Sequence, residues 1–138
     1  MKKIVLLSCV SKKQQHKAKA SDLYISSWFK LALSYAEKLN PDYIFILSAK
    51  HGLLDLDTEI EPYNLTLNKM TLSQRKEWAG KVVIQLKGKT DVENDRLIFL
   101  AGQKYRETLI GCIKHCEIPM KDLSIGKQLQ FLKKFSHE

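Results

Sequence analysis

Three short polar clusters in this chain each follow directly on an apolar run. Ser8 and Cys9 close "KIVLL"; Ser48, Lys50, His51 and Gly52 close "YIFIL"; Gly102, Lys104, Tyr105 and Arg106 follow "RLIFLA". Their chemistry is compatible with one ligand. His51 is suited to proton transfer near neutral pH, with Asp22 or Glu61 to orient it. Lys13, Lys50 and Arg106 can neutralise a phosphate or carboxylate, Arg106 with two parallel hydrogen bonds. Tyr24, Tyr63 and Tyr105 offer rings on which a base can stack. Gly52 and Gly102 allow backbone N–H groups to come close to a bound group, and a helix starting near Gln103 would direct its positive end at that group. Ser8 and Ser48 add hydroxyls, and Cys9 beside His51 would make a thiolate nucleophile. An anionic or heteroaromatic ligand fits this set: a nucleotide, a modified base or nucleic acid. If there is catalysis, hydrolysis or group transfer at a base is the expected reaction. The residues name no cofactor.

Each residue also has a plainer reading. Lys-His-Gly suits a strand-ending turn with Lys50 in solvent. Tyr105 at a helix start suits the core, Cys9 a buried strand end, "EPY" around Glu61 a turn held by Pro62, and the basic loop a solvated surface. No Walker loop, dinucleotide-binding glycine motif, HExxH or GxSxG occurs in the sequence. What raises the clusters above these readings is their common position after strands.

That position depends on the elements. "KIVLLSC" (3–9), "DYIFILSA" (42–49) and "RLIFLAG" (96–102) are apolar on both faces, as strands buried on both sides are. "CEIPM" suggests a short last strand. "SKKQQHKAKA" (11–20) lacks apolar periodicity and predicts a basic loop. Ile25, Trp28, Phe29, Ala32, Ala36 and Leu39 recur at helical spacing and predict one helix from Ser21 to Leu39, stopped by Asn40-Pro41. Residues 53–70 show no clean period and predict a long connection. Thr71 and Gln74 have capping-box spacing and open a helix to Leu86, closed by Gly88. Further helices are predicted over 103–115, with Tyr105, Leu109, Cys112 and Ile113 on one side, and over 124–135. Strands alternating with helices predict a single α/β domain, a three-layer sandwich around a mostly parallel sheet of three to four strands. In such a sheet the strand C-termini share one edge, where ligands bind.

Composition sets bounds. A chain of 138 residues suffices for one domain with one core. The net charge of +8 suggests a polyanionic partner, although a generally basic soluble protein would look the same. No apolar stretch reaches the roughly 20 residues that span a bilayer, so no membrane partner is expected. "IVLL" after Lys2 and Lys3 is shorter than the roughly 7–15 residues of a signal-peptide core, which favours a first strand and a cytoplasmic protein. Three cysteines form no disulfide framework. Cys112 and Cys116 lack the second pair that a metal site needs and suit buried small residues on a helix face.

The polar segments together also carry a resemblance. In order, Ser8-Cys9 with Lys13, then Ala18, Ala20 and Asp22-Leu23-Tyr24, then "LSAKHGL", "EPY" with "LTLN", "LAG..YR", and finally Ile125, Gly126, Gln128 and Leu129, resemble an uncharacterised family of bacterial and phage domains. The resemblance covers nearly the whole chain and implies a shared site in a family with no established activity. More distantly, the motif order is similar to that of the YaaA peroxide-stress proteins, which implies oxidative-stress protection and DNA binding as an alternative. A fainter similarity is to the base-modification domain of archaeosine synthases, and so to uracil-DNA-glycosylase-like α/β folds.

Overall fold

The computed structural model describes residues 1–8 and 13–136. The chain begins with β1 (Lys3–Ser8), β2 (Ala18–Lys19), α1 (Ala20–Leu23), α2 (Ser27–Lys38), β3 (Tyr43–Ser48), β4 (Gly52–Asp55) and β5 (Glu59–Ile60). After a 3-10 turn at Leu67–Lys69 come α3 (Leu72–Lys89), β6 (Arg96–Leu100) and α4 (Gln103–Arg106). A second 3-10 turn at Ile110–Cys112, β7 (Cys116–Glu117) and α5 (Ile125–Ser136) complete it.

Consecutive residues of a strand point to opposite faces, so a run of fully buried neighbours requires cover on both sides. Ile4, Val5, Leu6 and Leu7 are all fully buried, which makes β1 the sheet's centre. The sheet has five strands in the order β4-β3-β1-β6-β7, parallel except for β4. Ser8 lies opposite Leu47 and Leu7 opposite Leu100, so β1, β3 and β6 end nearly level. The shared edge expected from sequence is present. α2 packs on β1 and on α5, where Tyr35 meets the rings of Phe131 and Phe135. α3 packs on β4, and its Trp78 Nε1 donates to the Ser48 carbonyl at 2.8 Å.

Several expectations are corrected. The sheet has five strands rather than three or four, because β4 turns back on β3 after three residues. Gly52 makes that turn possible with φ at +75°, a conformation costly for any residue with a Cβ. The connection over 53–70 therefore contains β4, β5 and a 3-10 turn; strands of four and two residues are too short to show a period. The helix expected over 21–39 is interrupted, since the Ser26 side chain accepts from Phe29 N and starts α2 anew. The helix expected over 103–115 ends at Arg106, ahead of Thr108, Ile110, Gly111 and Ile113, which are weak helix formers. Cys112 is exposed on the second 3-10 turn and Cys116 starts β7, so neither lies on a buried helix face. Gly88 lies within α3, which ends at Lys89 with Thr90 as its cap. The Thr71–Gln74 capping box forms in both directions, at 2.9 and 3.2 Å.

Candidate functional site

At the β1 and β6 end of the shared edge the chain encloses a cavity of about 430 Å³. Five separate segments line it: Ser8 at the tip of β1, Lys13 beyond it, Leu65 to Lys69 before α3, Gly102 and Tyr105 after β6, and Ile125 and Gln128 on α5, with Trp28 of α2 between. Two bonds fix the walls. Trp28 Nε1 donates to Gln128 Oε1 at 2.9 Å, joining α2 to α5, and Gly102 N donates to Ser8 Oγ at 3.4 Å, joining the tips of β6 and β1. Tyr105 is buried, meets Trp78 edge-on at 5.8 Å, and its hydroxyl faces Leu67 N at 3.5 Å. It belongs to the core and forms the cavity wall as well. The size is within the ordinary range for small-ligand sites, roughly 300–1,000 Å³, and the wall mixes aromatic and aliphatic surface with a few polar groups.

Lys13 connects this cavity to a chain of hydroxyls. Its Nζ lies 4.7 Å from the Tyr63 ring centroid and 5.7 Å from that of Tyr24, cation–π distances in both cases. The Tyr24 and Tyr63 hydroxyls share a hydrogen bond at 2.6 Å, and Tyr63 shares another with Ser48 Oγ at 2.7 Å. Ser48 Oγ also accepts from His51 N at 3.1 Å. Tyr24 and Ser48 are buried, and so constitute the inner end of a polar network that reaches the surface at Tyr63 and Lys13.

His51 stands at the far end of that network, on the three-residue turn between β3 and β4, and does not line the cavity. Its ring meets Tyr63 edge-on at 5.6 Å, and its buried Nε2 has no hydrogen-bond partner among the described residues. Burial, then Lys50 and Lys81, hold its pKa below the ordinary imidazole value, so the ring is neutral at pH 7. Lys50 is exposed beside α3. Gln85 of α3 occupies the space that Gly52 leaves, accepting from Leu53 N at 2.9 Å and donating to the His51 carbonyl at 3.3 Å. Close approach to Gly52 thus belongs to Gln85 and not to a ligand.

The other expected residues disperse. Arg106 turns its guanidinium back to the Ala101 carbonyl at 3.0 Å and does not line the cavity. Asp22 is exposed and lines a separate, open concavity with His16 and Lys19. Glu61 is exposed, and neither carboxylate makes a hydrogen bond to His51 among the described residues. Cys9 lies outside the described residues. At four residues, α4 is too short to direct a helix dipole at a ligand. Gly102 has φ at −64°, and an added Cβ would meet no atom within 4 Å, so open space rather than backbone strain surrounds it.

Trp28, Thr66, Asn68, Lys69 and Gln128 were not expected at the site. Thr66 and Asn68 belong to "LTLN" and Gln128 to the final motif, so only the resemblance marked them; Trp28 reads as helix core by its spacing. A family model described as a family of unknown function, DUF6884, matches residues 4–134. The chain belongs to that family. No match was found among curated proteins or among solved structures. The DUF6884 span contains every residue that lines the cavity, together with the whole Lys13–Tyr63–Ser48 network. It supports the uncharacterised-domain resemblance and leaves the likeness to YaaA as one of motif order alone.

Proposed function

We propose that this DUF6884 domain binds a base-bearing ligand (a nucleotide, a modified base or a nucleic-acid residue) in the cavity at the tips of β1 and β6. The observation that carries the reading is convergence: five segments far apart in sequence build one concavity with Trp28 and Tyr105 as aromatic walls. Ser8, Thr66, Asn68 and Gln128 supply donors and acceptors for a base edge, while Lys13 and Lys69 supply charge for an attached phosphate. A three-layer arrangement underlies the reading. Right-handed crossovers would put α2 and α5 on one face and α3 on the other, leaving the strand tips open between them. The enzymatic form of the same reading is hydrolysis or group transfer at the base, with protons moving along Tyr24, Tyr63 and Ser48.

The test is a thermal-shift and tryptophan-fluorescence screen of nucleosides, nucleotides and modified bases. A true ligand at about 100 times its Kd stabilises the native state by about 2.7 kcal/mol. Gly102→Leu, which fills open space in the cavity wall, is expected to abolish the response while the protein stays folded. A response untouched by Gly102→Leu would refute the site.

The net charge of +8 favours a second reading, a non-catalytic DNA-binding or stress protein that uses its general basic surface. That reading expects graded losses of DNA binding at every exposed lysine, including Lys133 and Lys134 of α5, and indifference to Gly102→Leu.

A further inference from the structure

A second concavity, of about 520 Å³, lies on the other side of the contact between α4 and the turn at Leu67–Lys69. Its walls are Leu72, Arg75 and Lys76 from the first turns of α3, with Lys104, Glu107 and Thr108 from α4 and beyond. Arg75 is 8% exposed, an unusual burial for a guanidinium, and its charge is only partly answered. Nη1 donates to the Met70 carbonyl at 2.7 Å and Nη2 meets Glu107 at 3.1 Å, but the buried Nε–H has no partner among the described residues. The Thr108 hydroxyl in the same wall is also buried without a partner. Two orphaned donors in one cleft, beside exposed Lys76 and Lys104, describe a place for anionic oxygens. The single carboxylate there, Glu107, is already engaged by Arg75.

The two concavities are neighbours. Lys104 lines the cleft while the next residue, Tyr105, lines the base-sized cavity; Lys69 lines the cavity and Leu72 the cleft. Arg75 holds the Met70 carbonyl between them. Exposed Lys69 and Lys104 thus mark a short basic path from one to the other, across about the width of one helix, roughly 10–12 Å.

We infer that the ligand is a single-stranded nucleic acid rather than a free nucleotide, with one base in the cavity and a neighbouring backbone phosphate in the cleft formed by Arg75, Lys76, Lys104 and Thr108. The inference rests on the base-binding reading above and adds the substrate class to it. A strand carries phosphates on either side of each base and can occupy both places at once; a mononucleotide fills the cavity and leaves the cleft empty. Aromatic walls for a base beside a basic track for the backbone are the usual means of holding such strands.

Fluorescence anisotropy of labelled hexanucleotides, DNA and RNA, tests this against nucleoside and mononucleotide titrations of the same protein. Lys76 and Lys104 are exposed, so the double variant Lys76→Ala/Lys104→Ala is expected to fold. It should weaken hexanucleotide binding about tenfold or more and reduce the slope of log K against log salt by about 1.4, that is, about 0.7 for each lost phosphate contact. Nucleoside binding should not change, and Lys133→Ala/Lys134→Ala should leave both alone. Arg75→Lys keeps a charge but loses the planar donor set, and should weaken the hexanucleotide alone. If a nucleoside binds but the hexanucleotide binds no tighter, or the Lys76/Lys104 variant keeps its full salt slope, the strand inference is overturned while the base cavity stands. If the hexanucleotide binds through the cleft and no nucleoside binds, the base cavity is overturned instead. Equal losses in the Lys133/Lys134 variant overturn both in favour of the general basic surface.

Discussion

The tips of β1 and β6 and the tip of β3 look alike in sequence: an apolar run, a small polar residue, then cations and a glycine. In three dimensions they have opposite fates. Ser8 and Gly102 open onto a cavity, whereas Ser48, Lys50, His51 and Gly52 form a turn closed by α3, with Trp78 on the Ser48 carbonyl and Gln85 against Gly52. What decides between them is the element that comes next. After β6 the chain must leave the sheet and cross over, which frees the strand tip; after β3 it reverses at once and pairs, which seals it. A glycine at a strand end therefore has two meanings. Gly52 is required by a positive φ, while Gly102, at φ −64°, only leaves space.

The contrast can be broken at several points, the most damaging first. Trp78→Ala removes a buried ring and the donor to the Ser48 carbonyl, and should cost about 3–5 kcal/mol in urea denaturation. A loss below about 1 kcal/mol would mean that α3 does not close the hairpin. Gly52→Ala places a Cβ at positive φ and against Gln85, at a cost of about 1–2 kcal/mol, with nucleoside affinity at the distant cavity preserved. Gly102→Ala should do the reverse: unfolding free energy within about 1 kcal/mol of the parent, and weaker ligand binding by calorimetry. Equal behaviour of the two alanine variants would erase the distinction.

The smallest expected effect concerns His51. Burial holds its folded-state pKa below the ordinary imidazole value, with Lys50 and Lys81 adding to the shift. Its contribution to stability is therefore present above the unfolded pKa and lost as pH falls through the folded one. Denaturation midpoints should decline as pH drops below the ordinary histidine range, and His51→Gln should flatten that part of the profile. Asp95 titrates lower still, because N–H groups of Asp91 and Lys2 bond its carboxylate and hold its pKa below the usual range. NMR titration of the His51 ring protons separates the two.

Much of the fold was legible because parallel strands advertise themselves: Ile4 to Leu7 and Leu97 to Leu100 are continuous apolar runs, and nothing else buries both faces of a strand. β4 was illegible because Leu53 and Leu54 are both buried, so its four residues show no alternation. The site was legible only as an edge. Ser8, Lys13, Gly102 and Tyr105 do meet in one cavity, whereas His51 and Arg106 satisfy the same sequence rule and do not line it. Local pattern cannot tell them apart, since the difference lies in what α3 and the Ala101 carbonyl do to them. Trp28 was read as core because a residue on the rim of a cavity and one beneath it have the same helical spacing.

The outermost members of the sheet are β4, four residues long, and β7, only two. Asp55 on β4 is tied to Lys89, and Glu117 on β7 to Arg96. Short, charged borders give a neighbouring copy few unpaired amide and carbonyl groups on which to extend the ladder. The inner strands, apolar enough to seed fibrils if laid bare, are thus flanked by margins that resist edge-to-edge growth, and concentrated solutions should be prone to such growth only after β4 has come away.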